Sequence, residues 1–189
     1  MSTSTHYHSL AQVAKNIRAC TQCPLHETRT HAVPGNGDPH ATLILIGEGP
    51  GKTEDAKGEP FVGKAGKLLT HMLEAIGLTR EQVFITNIVK CRPPKNRNPH
   101  QQEIAACVPY LKEQLRLIQP RIICTLGASA TSALLGKQNS ITHVRGQWFD
   151  YHGIKLMPTF HPAYLLYNRS KTPEMERDFQ EIMQAYQTG

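Results

Sequence analysis

Residues 47–69 read GEGPGKTEDAKGEPFVGKAGKLL and follow directly on an apolar run, Leu43-Ile44-Leu45-Ile46, which stops at Gly47. What comes next is rich in glycine and acids, with Phe61 as its one aromatic side chain. From about Lys64 the pattern turns helical: Ala65, Leu68, Leu69, Met72, Leu73 and Ile76 share one face, and Gly77 ends it. Strand, glycine loop and helix in that order is how α/β folds build a ligand site beyond the carboxyl end of a sheet. This loop does not read as a phosphate cradle. It carries neither GxxxxGK[ST] nor GxGxxG, and its carboxylates would repel a phosphate. Its composition suits a neutral planar group held near carboxylates.

Further apolar runs predict strands over 83–87, 121–126 and 154–160, beside the first at 42–47. Helical patterns fall between and around them: 10–19, a helix capped by Asn98 with Pro99 first and running to about 118, and 128–136. Met175, Phe179, Ile182, Met183 and Tyr186 make a closing amphipathic helix. Residues 28–41, with Pro34, Gly35, Gly37 and Pro39, read as loop. Strands alternating with helices predict one α/β domain over 1–189, a central four-stranded parallel sheet flanked by helices on both faces. The strands of a parallel sheet all end at one edge. Glu48, Asn87 and His161, each at or just past a strand end, are therefore expected to converge beside the glycine loop and Phe61. Taken singly, Asn87 could cap a turn and His161 could be structural; together they describe a site.

The 189 residues carry a formal charge of +6, with ten histidines besides, and the pI is about 9.1. That balance favours a polyanionic partner, nucleic acid before membrane. The N-terminal MSTSTHYHSL has no apolar core of a signal peptide, and no run approaches the length of a membrane helix. A cytoplasmic, reducing setting is expected, so the five cysteines are read as thiols or metal ligands rather than disulfides.

Cys20-x-x-Cys23 is spaced to grip one metal centre, and Cys91 and Cys107 would complete a set of four. Zinc and iron–sulfur clusters both accept four thiolates, so spacing leaves the occupant open. Cys124, mid-strand, reads as a small buried hydrophobe. Around Cys91, Lys90, Arg92, Lys95 and Arg97 interleave with Pro93, Pro94 and Pro99. A charge run is more usually a solvated face, but prolines and a neighbouring metal site would stiffen this one into a grip on a phosphate backbone.

The chain resembles the iron–sulfur uracil-DNA glycosylases, the fourth family of the uracil-DNA glycosylase superfamily. The match spans nearly the whole length: CTQC, GEGPGKTEDAKGEPFVGKAGKLL, TNIVKCRPPKNRNP, CVPYL and HPAYLL, in that order. The resemblance implies a parallel four-stranded sheet between helices and a structural [4Fe-4S] cluster on Cys20, Cys23, Cys91 and Cys107; zinc is the alternative occupant that the spacing leaves open. It implies a substrate of uracil-containing DNA, single- or double-stranded; a monomer without membrane association is expected. Phe61 would stack on uracil, Asn87 would bond its pairing edge, and His161 would face O2. Glu48 and Glu54 would line the pocket and hold the attacking water, with Gly49 and Asn96 also at the base. Two positions depart from the family pattern. Gly49 stands where alanine is common, and Tyr167 follows HPAYLL where arginine is usual, with Arg169 nearby to replace it.

The chemistry asks for these residue types on its own account. Breaking an N-glycosidic bond leaves an oxocarbenium-like sugar and a base anion, so a donor is needed at the base and anionic or water-holding groups at the sugar. Two other readings compete. A non-enzymatic iron–sulfur DNA-binding module would need the cluster and the basic loop but not Asn87 and His161 at strand ends. A uracil-DNA crosslinking relative would carry a basic insert, and GKQNSITHVRGQW is short and lacks one.

Overall fold

The computed structural model describes residues 7–136 and 140–188. Its sheet has six strands in the order β1-β3-β2-β4-β6-β5: β1 Asn36–Gly37, β2 Leu43–Gly47, β3 Phe84–Asn87, β4 Ile122–Leu126, β5 Phe149–Tyr151 and β6 Ile154–Thr159. The four inner strands run parallel, as expected. The sheet is nevertheless mixed, because a short antiparallel strand is added at each edge. Both additions depend on turn chemistry. At β1, a Cβ on Gly37 would fall 1.9 Å from the Val83 carbonyl oxygen, so only glycine lets the two backbones approach. Between β5 and β6, Tyr151 pairs with Ile154 across His152 and Gly153. Both turn residues have positive φ (52° and 85°), the mark of a two-residue hairpin.

Helices cover both faces. The side chains of β2 alternate: Ile44 and Ile46 enter one core with Val13, Ile17, Leu111 and Ile123, whereas Leu43 and Leu45 enter the other with Leu69, Met72, Cys124, Met157 and Phe179. The first core is closed by α1 (Leu10–Ala19) and α5 (Gln101–Ile118), the second by α4 (Lys64–Ala75) and α9 (Thr172–Thr188). Shorter helices α2 (Leu25–Thr28), α3 (Lys52–Lys57), α6 (Ala128–Leu135), α7 (Ile141–Val144) and α8 (Pro162–Leu165) fill the connections. Among the described residues, no helix is long and apolar enough to cross a membrane.

Two local expectations shift. The glycine loop contains α3, which begins after Gly51 and stops at Gly58 in the left-handed region. The helix expected after Asn98 starts instead at Gln101, because Glu103 reaches back to the His100 amide at 2.7 Å in a capping box.

Chain order matters for the site. From β2 the chain moves to β3 on one side, then crosses to β4 on the other. The gap beyond the carboxyl ends of β2 and β4 is therefore the topological switch point, where ligand clefts of such sheets form.

Candidate active site

A cleft of about 440 Å³ opens at that point. Glu48, Gly49, Glu54, Phe61, Asn87, Asn96 and Arg97 line it, together with Gly127, Ser129 and His161. The structure thus brings together the three strand-end residues, the loop aromatic and both carboxylates.

Asn87 ends β3 with 1% of its surface exposed. Its Oδ1 has no hydrogen-bond partner among the described residues and is the one such buried side-chain nitrogen or oxygen among them. Burying an unpaired acceptor costs about 1–3 kcal/mol, which a bound donor would recover. Phe61 lies beside it at the back of the cleft, its ring centroid 5.6 Å from that of His161. Glycines permit this proximity. A Cβ on Gly47 would meet Phe61 Cζ and Asn87 Oδ1, each at 2.5 Å, and one on Gly66 would fall 1.8 Å from the Phe61 carbonyl oxygen.

His161 is the N-cap of α8, and its Nδ1 accepts from the Ala163 amide at 3.1 Å. That bond leaves Nε2 to carry the proton of the neutral ring. Burial pushes its pKa down to about 4, against the upward pull of Glu54. At neutral pH the side chain is an uncharged donor. Gly127, at φ 89°, makes room for it, since a Cβ there would lie 2.9 Å from His161 Cβ.

The two carboxylates differ in their engagements. Glu48 Oε2 accepts a hydrogen bond from Ser129 Oγ. Glu54 Oε1 accepts from the amides of Val62 and of Gly63, the N-cap of α4, at 2.9 and 2.8 Å. Gly49 meets the cleft at its rim, and a Cβ there would press on Val89 Cγ2 at 2.7 Å.

The basic loop divides. Lys95 is exposed and Arg92 half-exposed, with Arg92 Nε donating to Asn96 Oδ1 at 2.7 Å. Arg97 is held in a two-pronged pair with Glu103, at 2.7 and 2.9 Å. Arg169 is exposed beyond α8, beside Tyr167 at 87% exposure. Lys90 requires a correction. It is 1% exposed, and its Nζ donates to Thr86 Oγ1, the Asn87 carbonyl and Gln114 Oε1 at 2.6–2.7 Å. All three ammonium donors are taken, so it has no hydrogen left for a phosphate, and its charge lies inside the protein. Burial drives its pKa down to about 7.

Cys20, Cys23, Cys91 and Cys107 line one small void with Ile17, His26, Arg29 and Tyr110. The void is walled by α1, the turn into α2, the loop after β3, and α5. Lys90 donates its amide to Cys107 Sγ at 3.2 Å, and Arg29 Nη1 donates to Cys91 Sγ at 3.0 Å. Burial raises the Cys91 and Cys107 thiols, the latter to about 11. No three His, Cys, Asp or Glu side chains among the described residues form a single-ion metal site. Cys124 is apart from this set, fully buried in the core that α4 and α9 cover.

Ser129 and Arg29 escaped the sequence reading. Ser129 stands two residues past Gly127 at the end of β4, so it carried the same strand-end signal as Glu48 and His161. Arg29 had no comparable signal.

Residues 34–187 match the family model of the uracil DNA glycosylase superfamily. The Type-4 uracil-DNA glycosylase of Sulfurisphaera tokodaii is 48% identical over 183 residues, covering 92% of this chain and 83% of that protein. The Type-4 uracil-DNA glycosylase of Thermotoga maritima is 51% identical over 160 residues, covering 84% and 83%. That of Archaeoglobus fulgidus is 43% identical over 182 residues, covering 92% of each chain.

Proposed function

The chain belongs to the uracil-DNA glycosylase superfamily and is a DNA repair glycosylase that hydrolyses uracil from DNA; on that premise we propose how its cleft works. Deoxyuridine is flipped out of the helix at a cost of a few kcal/mol. The base enters at the switch point, stacks on Phe61 and pairs with Asn87. The observation that carries this reading is the buried, unpartnered Oδ1 of Asn87, facing a cleft that also holds an aromatic ring. Oδ1 accepts from uracil N3–H while Nδ2 donates to O4.

As the glycosidic bond lengthens, charge gathers on uracil O2. The Nε2–H of His161 meets it as a neutral donor, a form supported by the occupied Nδ1 and the lowered pKa. Glu48 holds water against C1′ and offsets the positive charge of the sugar, with Ser129 fixing its carboxylate. Glu54 shapes the Phe61 loop through its bonds to Val62 and Gly63 and adds negative charge to the cleft. Gly49 and Asn96 shape the rim. Arg92, Lys95, Arg97 and Arg169 contact the DNA backbone, Arg97 with its charge partly offset by Glu103.

Cys20, Cys23, Cys91 and Cys107 hold a [4Fe-4S] cluster, in keeping with four sulfurs on one void and two N–H donors directed at them. When bound, the cluster is structural, tying the N-terminal segment to the loop that follows Asn87. The protein works as a monomer in a reducing cytoplasm, a setting in which cysteines stay available to a cluster rather than form disulfides.

The test is incubation with an oligonucleotide carrying one uracil. Free uracil and an alkali-labile abasic site are expected. Intact DNA after incubation with iron-replete protein would overturn the reading.

A further inference from the structure

We propose that Arg80 is a positioning residue for excision, holding the Phe61 ring at the height where a base stacks on it. The inference rests on the stacking role proposed for Phe61. Arg80 is not among the side chains that line the cleft. It opens a one-turn helix, Arg80–Gln82, ahead of β3 and faces a separate surface depression with Asn36, Gly37 and Ile85. From there its Nη2 donates to the Pro60 carbonyl at 2.7 Å and its Nη1 to the Phe61 carbonyl at 3.0 Å. Nη1 also reaches Thr70 Oγ1 at 3.3 Å, and Thr70 in turn donates to the Gly66 carbonyl at 3.1 Å. One guanidinium therefore joins the carbonyls of the Pro60–Phe61 step, one on each side of the Phe61 Cα, to the first turns of α4.

The step needs such a hold. Phe61 has φ 51°, a left-handed conformation that a bulky aromatic residue rarely adopts. Gly66 lies under its carbonyl and Gly47 under its ring, but both only leave room. Arg80 supplies directional bonds to the carbonyls, beside those that Glu54 accepts from the Val62 and Gly63 amides. Its pKa is lowered by burial, yet an arginine keeps its charge at any working pH. Without the guanidinium, the two carbonyls turn to water, Phe61 relaxes towards negative φ, and the ring leaves its place opposite His161.

A double-mutant cycle separates positioning from general support. Arg80→Ala is expected to lower kcat/KM for uracil excision by roughly 10- to 100-fold, the scale of an ångström misplacement near the chemistry. Placed on top of F61A, the same substitution should cost less than about two-fold, because the ring it positions is gone. Arg80→Lys should recover part of the loss, since an ammonium can bond one carbonyl but lacks the fork. If Arg80→Ala does not fold, Arg80→Lys is carried through the same cycle. Equal losses in the parent and F61A backgrounds would mean that Arg80 only supports the fold, and would overturn the inference. Parental excision by F61A itself would overturn the stacking role of Phe61, and the inference with it.

Discussion

Gly47→Ala adds a single methyl group where β2 gives way to the glycine loop. Gly47 pairs in register with Asn87 and has no positive φ, so alanine meets no backbone strain there. The effect comes entirely from crowding. The new Cβ would lie 2.5 Å from Phe61 Cζ, 2.8 Å from Phe61 Cε2 and 2.5 Å from Asn87 Oδ1. Comfortable carbon contacts begin near 3.5 Å, so ring and amide must each retreat by about 1 Å. Overpacking of this kind costs about 1–3 kcal/mol of stability. A 1 Å displacement of groups that hold the reacting base costs about 10² in rate, or about 2.7 kcal/mol of barrier. The expected variant is folded, binds uracil-free duplex like the parent, and excises uracil about 100-fold more slowly. Single-turnover release of uracil, beside a denaturant titration, measures both quantities. Excision within a few-fold of the parent would show that the base does not depend on this closeness of ring and amide.

His161→Ala should slow excision by about 10²–10³, the usual loss of one donor to a developing oxyanion, with DNA binding unchanged. Because the folded pKa is about 4 and the unfolded value about 6.5, only the unfolded chain takes up this proton between them. Stability should therefore fall as pH drops from 6.5 to 4, and His161→Gln should lose that part of the slope in acid titrations. Asn87→Asp loses the donor to uracil O4 but can accept from the cytosine amine; matched oligonucleotides should show most uracil release gone and a weak release of unpaired cytosine. Neutralising Arg92 and Lys95 should lower the salt slope of DNA binding by roughly 0.9 for each phosphate that is no longer neutralised. Lys90→Met should leave that slope alone and lower the denaturant midpoint, because buried acceptors lose their donor. Cys107→Ser should lose iron and sulfide and unfold more easily, whereas Cys124→Ala should keep both; zinc alone in anaerobically purified parent would refute the cluster.

The inner sheet was legible because its two central strands, β2 and β4, are largely apolar on both faces and buried along their whole length. Once their parallel order was read, Glu48, Asn87 and His161 had to share an edge. The edge strands were not legible. Asn36–Gly37 has no hydrophobic pattern, and its pairing rests on the close approach that Gly37 allows. Lys90 misled because sequence presents it as one cation among four. What buries it is Gln114, 24 residues on, whose amide oxygen faces the ammonium and whose Nε2 donates to the Pro34 carbonyl. Arg80 was equally hidden, since its partners are main-chain carbonyls about 20 residues earlier.

The two stubs at the sheet margins also set how much open strand edge the sheet presents. An uncovered parallel strand offers a ladder of amides and carbonyls on which another chain can add. Here β3 and β6 are each screened by an antiparallel neighbour of two and three residues, which ends before it can serve as a template in turn. On the outer side of β6, pairing with β5 stops at Leu156, and Pro158 has no amide to extend it. Each stub leaves at most three residues of strand at the margin, so the sheet presents little open backbone to a further strand.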